Sequence, residues 1–153
     1  MIKVFNLHEQ KWEGRGDYIG RPSVLGNPFV LFKGGLSRAE VVEKYRAEWL
    51  WPIVKDGRAG KWAGRPSTLE RFEKFTKAHS PPIYPPRNNE EFRQAVWEAV
   101  EALWRRAAAG EPLNLICYCK PLACHGDVLQ ACLEWLLQTP VRQDHGTTGP
   151  QDH

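Results

Sequence analysis

Long apolar runs are missing from this chain. No stretch approaches the about 18 consecutive apolar residues that a membrane-crossing helix needs, so no membrane partner is expected. The amino terminus, MIKVFNLHEQ, has no apolar core of the kind a secretory leader carries, and the expected location is therefore the cytoplasm. Excess charge of one sign is missing too, since 21 Lys and Arg against 18 Asp and Glu leave only +3. A balance that mild permits an anionic ligand but falls short of a dedicated DNA-binding domain. Cysteine is scarce, four in 153 residues, and three of the four crowd between Cys117 and Cys124. Clustered thiols in a chain expected in the cytoplasm argue against a disulfide framework and for reduced thiols or a metal.

What is present is a core. With 42% hydrophobic residues and seven Trp, the sequence predicts one globular domain over 1–138, followed by a polar, disordered tail over 139–153. The most informative stretch is LNLICYCKPLACHGDVLQACLEWLL, residues 113–137. Leu113, Leu115, Ile116 and Cys117 make a short apolar run suited to a buried strand, and Pro121 stops any ladder beyond it. From Val128, the apolar positions Leu129, Cys132, Leu133, Leu136 and Leu137 recur at helical spacing. The helix should start near Cys124, His125, Gly126 and Asp127, where unpaired N–H groups and partial positive charge favour thiolates, carboxylates and phosphates. Cys124 is thus the thiol placed to have a lowered pKa.

The remainder reads as follows. Residues 1–7 suggest a first strand with Asn6 and His8 at its carboxyl end. The stretch YIGRPSVLGNPF, residues 18–29, is punctuated by Gly20, Pro22, Gly26 and Pro28 too densely for more than a short strand ending near Ile19. Such a loop brings backbone N–H groups close to a ligand, and Arg21 adds a guanidinium fork suited to phosphate or carboxylate. Asn27 is a turn former whose amide also suits a base or a ribose. Ser37 with Glu40 forms a capping box for a helix whose inner face is Val41, Val42, Tyr45, Trp49 and Leu50, and Pro52 is expected to end it. Residues 55–89 read as a basic, proline-rich insertion. Its Lys and Arg, interleaved with Trp62, Phe72 and Phe75, are either a solvated helix face or a surface over 55–77 for single-stranded nucleic acid. A short helix is expected over 67–78 on a second Ser67–Glu70 capping signature. Asn88 or Asn89 opens the clearest helix, which Gly110 ends.

The cysteine cluster admits two chemistries. Cys117, Cys119, Cys124 and His125 are enough donors for tetrahedral zinc. However, a C-x-C pair along a strand holds its sulfurs roughly 6.6 Å apart, whereas two thiolates sharing a zinc lie about 4 Å apart. The other reading needs no cofactor. Cys124 is then a thiolate, His125 a general acid or base, Asp127 its orienting partner or a ligand contact, and Lys120 an anion contact. Cys132 fits a plain core position on the helix's apolar face.

These motifs, together with Asn6, the S-R-x-E helix start at Ser37 and CYCKPLACHGDVL from Cys117, resemble a family of phages and bacteria catalogued as domain of unknown function four-three-two-six. The resemblance implies a small α/β domain in which the GRPSVLGNPF loop and the CHGD turn face one another, and it brings no established activity. The 55–89 segment is longer than that family usually carries. A second uncharacterised family has a similar C-H-R turn, but Gly126 stands here where its arginine would be.

The sequence therefore predicts a three-layer α/β domain with a mostly parallel sheet flanked by helices. Its pocket is expected from Asn6, Gly20, Arg21, Gly26, Asn27, Cys119, Lys120 and Gly126, with Cys124, His125 and Asp127 nearest the reacting atoms. The expected ligand is nucleotide- or nucleoside-like or another phosphorylated metabolite, in a bacterial or phage-infected cell, with transfer or hydrolysis at the ribose or base. The alternative is a non-enzymatic, zinc-stabilised module that binds nucleic acid or a host protein, and a third reading is a phage-type inhibitor.

Overall fold

Strand β3, Leu113–Cys117, is the middle of a three-stranded parallel sheet, between β1, Ile2–Asn6, and β2, Asp17–Tyr18. The structure is a computed structural model and describes residues 1–8, 12–29, 36–117 and 124–138. The expectations for Cys119, Lys120 and the tail lie outside these residues. Every residue of β3 is buried, as the unbroken run LNLIC requires. Leu113, Leu115 and Cys117 face the main core. The other face carries Asn114, whose amide donates to the carbonyls of Glu13 and Arg15, and Ile116, which lies beside Gly16. The chain passing from β1 to β2 thus covers that face and satisfies the polar group in the middle strand.

Register is fixed along the whole of β3: Ile2 opposes Leu113, Asn6 opposes Cys117, and Tyr18 opposes Ile116. Because all three strands run the same way, Asn6, Tyr18 and Cys117 end at one edge. The domain is a small α/β unit, and it binds its helices on the face that Leu115 and Cys117 present.

Helical structure begins at α1, Arg38–Lys44, capped by the predicted Ser37–Glu40 box. It does not stop at Pro52. A π-helical turn, Tyr45–Leu50, leads into α2, Trp51–Arg58, so the chain is helical from 38 to 58. The expected stop fails because proline breaks a helix through its missing N–H and its clash with the preceding turn. Here the wider π turn shifts the bonding, with the Trp51 N–H reaching the Arg46 carbonyl, and Pro52 falls in the first turn of α2, where an N–H is not needed.

Helix α3, Leu69–Lys77, shows no Ser67–Glu70 box. Its cap comes from the next helix: Glu98 accepts from the Thr68 and Leu69 N–H groups and from the Ser67 hydroxyl. Trp62 and Phe72 belong to the core, so the basic 55–89 segment is built into the domain. Several of its cations are matched, Lys61 with Asp56 and Glu90, Arg71 with Glu91, Lys74 with Glu70, and Lys77 with Glu73. Helix α4, Glu90–Ala108, is capped by Asn89 and ends at Gly110, whose φ of 96° favours glycine. Helix α5, His125–Gln138, packs on α4, β1 and β3 and buries Cys132 at 0% exposure, which pushes that thiol up to about 12.

One ion-pair cluster ties the helices to the outer strand. Arg106 near the end of α4 reaches both carboxylate oxygens of Asp17 at 2.9 Å and also holds Glu111. Both Arg106 and Asp17 are mostly buried, and the planar fork matches the carboxylate bidentately. Arg106→Ala should lower unfolding free energy by about 1–3 kcal/mol in urea titrations, and Arg106→Lys should recover only part of it.

Candidate functional site

Helix α5 starts directly over the edge where the three strands end. Cys124, the residue before it, caps the helix: the Gly126 N–H donates to its sulfur at 3.1 Å, and the Asp127 N–H to its carbonyl at 3.0 Å. The Cys124 sulfur stands 2.8 Å from the sulfur of Cys117, the last residue of β3, and both residues are fully buried. Gly126 allows this close docking, since a Cβ there would lie 2.9 Å from Val4 and 3.1 Å from Ile19.

His125 makes the junction with the early loop. Its Nε2 is 2.9 Å from the Ile19 carbonyl; a carbonyl only accepts, so Nε2 carries the proton and donates. The ring is 5% exposed and meets Tyr45 edge-on, with centroids 5.2 Å apart. Burial holds the imidazole below its ordinary pKa, against the Ile19 bond and the neighbouring Cys117 and Asp127, which favour protonation; Arg21 adds to the lowering. The two sequence motifs therefore meet, and Arg21 and Asp127 lie within electrostatic reach of the ring that joins them.

The loop itself is held from several sides. The Arg21 guanidinium donates through Nε and Nη2 to the Asn27 carbonyl and through Nη2 to that of Phe29, and it stacks on Tyr84. Its fork thus closes its own loop, in addition to carrying charge. Asn27 accepts from the Phe29 N–H and donates to the Val41 carbonyl on α1. Gly20 is buried and accepts a turn bond from Ser23. A Cβ on Gly26 would stand 2.2 Å from the Tyr84 hydroxyl and 3.0 Å from the Arg21 nitrogen, so this position needs glycine. The Arg21–Pro22 peptide is cis. Asn6 ends β1 opposite Cys117 and accepts from the His8 N–H.

Burial separates the members of the late motif. Cys124 and His125 are enclosed, whereas Asp127 is partly exposed and is the one of the three that reaches solvent. Among the described residues, no group of three His, Cys, Asp or Glu side chains is disposed to hold a metal ion. Next to the early loop, Pro28, Tyr84, Pro85, Pro86, Arg87 and Asn88 line a groove of about 510 Å³. Sequence reasoning missed Tyr84, whose hydroxyl donates to the Ser23 carbonyl and whose ring backs Arg21. It placed Tyr45 on the inner face of the first helix, where it is fully buried, but not the bond its hydroxyl donates to the Leu25 carbonyl. Neither bond carries a local signal, because the partners are distant in the chain.

His125 couples stability to pH. A base whose folded pKa is depressed binds fewer protons folded than unfolded once pH drops below the ordinary imidazole value of about 6.5. The protein should be fully stable, as regards this group, above that value, and lose stability as pH falls below it. Comparing urea midpoints of the wild type and His125→Gln across the acid range isolates the effect: the slope should be shallower in the variant. His125→Leu, which leaves the Ile19 carbonyl without its donor, should cost about 1–3 kcal/mol at neutral pH.

Searches of curated proteins and of solved structures find no match to this chain. The model of one family, described as Domain of unknown function (DUF4326), matches residues 5–135, and the chain belongs to that family.

Proposed function

We propose that the domain binds a nucleotide- or nucleoside-like ligand beyond the carboxyl ends of its strands and carries out transfer or hydrolysis at the ribose or base. One observation carries this reading: the ends of β1, β2 and β3, the Arg21 loop and the start of α5 converge on one edge, joined by His125 and Ile19. Open parallel sheets bind ligands at that edge, because loops and helix starts there present N–H groups without a sheet partner. The groove beside Pro28 has the volume of a small-ligand site and offers Tyr84 and two proline rings for stacking beside the Arg87 cation.

In this reading Asp127 meets the reacting atoms, as a base or as a hydrogen-bond acceptor for a ribose hydroxyl. Cys124 and His125, enclosed behind it, fix the turn that aims the carboxylate. Arg21 contributes positive charge for a phosphate from a position its own loop makes rigid. Cys119 and Lys120, expected from the sequence at the same pocket, lie outside the described residues.

The second reading, a zinc-stabilised module without enzymatic activity, draws on the juxtaposed Cys117 and Cys124 sulfurs. Cys119 and His125 would add the remaining donors, although His125 Nε2 is already engaged at Ile19. The basic 55–77 surface that would serve such a module is largely matched by carboxylates. Metal analysis of purified protein separates the readings, since stoichiometric zinc whose removal unfolds the chain supports the module.

Thermal melts against nucleosides, mononucleotides and dinucleotides test the first reading. A ligand that binds the folded state raises the midpoint in proportion to RT ln(1 + [L]/Kd). At least one of these compounds should do so, and Arg87→Ala should weaken the response about tenfold, the loss of roughly 1.4 kcal/mol. Asp127→Asn should fold normally and abolish turnover of the bound compound. Flat melts across the whole set would remove the proposal.

A further inference from the structure

The pair of sulfurs at the base of α5 has a chemistry of its own. Cys117 and Cys124 are reduced, at 0% exposure, with their sulfurs 2.8 Å apart. That separation is longer than a disulfide bond, about 2.05 Å, and shorter than ordinary sulfur packing. The two come from different elements, the end of the middle strand and the cap of the following helix, so their meeting is a product of the fold. They also differ in environment. Cys124 takes the Gly126 N–H at the start of α5, whereas Cys117 sits at the end of a fully buried strand. The Gly126 N–H and the start of the fourteen-residue helix lie on the Cys124 side of the pair, so the two sulfurs are not equivalent.

We propose that Cys117 and Cys124 form a reversible dithiol–disulfide pair, oxidised by a small hydroperoxide. The Cys124 thiolate attacks the O–O bond of the peroxide, taking one oxygen as a sulfenic acid while the other leaves as water after protonation. The Cys117 sulfur then displaces that oxygen, forming the S–S bond and releasing a second water. Two thiols and one hydrogen peroxide thus give one disulfide and two waters, and the two electrons lost by sulfur reduce the peroxide. A dithiol reductant reverses the change by thiol–disulfide exchange. Peroxide is small enough to reach enclosed sulfurs that a bulky disulfide oxidant reaches only when the chain opens. The product closes a ring over residues 117–124, at the base of the turn that carries Asp127, and stands whether or not a nucleotide is the ligand.

The test uses the full chain with Cys119→Ser and Cys132→Ser, so that only the proposed pair remains. Hydrogen peroxide should remove two hydrogens from the intact mass and both titratable thiols, with the protein unchanged in size, and dithiothreitol should restore them. Disulfide yield should exceed several-fold that of the same variant in urea, because the fold supplies the proximity. If the double variant fails to fold, the wild-type chain decides the matter. Chymotrypsin cuts after Tyr118 and Leu122, so a Cys117–Cys124 bond joins the peptide ending at Tyr118 to the one beginning at Ala123 until reduction, whereas pairing through Cys119 would hold the 119–122 peptide. Accumulation of oxygen adducts without the link, pairing through Cys119, or thiols that persist at a dose oxidising the unfolded chain would each overturn the proposal.

Discussion

The hydrogen bond between His125 and the Ile19 carbonyl, buried where α5 meets the sheet edge, is the contact on which the arrangement of the domain depends. It crosses from residue 125 to residue 19 and fixes how the helix after the middle strand sits over the loop after β2. A buried imidazole without a partner costs free energy, and so does an orphaned carbonyl. The two groups resolve each other's burial, and only when the helix docks in one orientation. Gly126 permits the approach by presenting no side chain to Val4 and Ile19, and the Cys124 cap fixes where the helix begins. These neighbouring residues therefore specify position, while the apolar stripe of α5 supplies the driving force for burial.

The same economy runs through the early loop. Arg21 and Asn27, side chains suited to binding anions and bases, are also the ones that close the loop on itself and tie it to α1. Tyr84 and Tyr45 bond loop carbonyls from outside. A loop rich in glycine and proline has little regular backbone bonding, so its carbonyls must find side chains. Here Arg21, Tyr45 and Tyr84 satisfy them, from within the loop and from the elements around it.

Much of this was legible in the residues. The run LNLIC announced a buried strand, and the spacing from Val128 to Leu136 announced the helix after it. The Ser37–Glu40 box and the Asn89 cap placed two helix starts, because caps are local chemistry. What misled was local chemistry overruled from a distance. Pro52 reads as a stop until a π turn rearranges the bonding before it. Ser67 and Glu70 read as a capping pair, but Glu98 from the neighbouring helix caps the start instead, through the Thr68 and Leu69 N–H groups. Among the basic residues after Lys55, tertiary packing set carboxylates beside Lys61, Arg71, Lys74 and Lys77, a pairing that no local pattern announced.

By itself, the sequence determined most of the strands and helices, the polar loop and turn that lie between them, and which family the chain resembles. Periodicity, capping and turn residues act over a few positions and can be read without knowing where the chain goes next. Only the tertiary structure decided that His125 is buried and bonded to the Ile19 carbonyl, that Asp127 alone of its turn reaches solvent, and that Cys117 and Cys124 touch. Burial and juxtaposition depend on residues far apart in the chain, and those distances are set by packing, which no local pattern encodes.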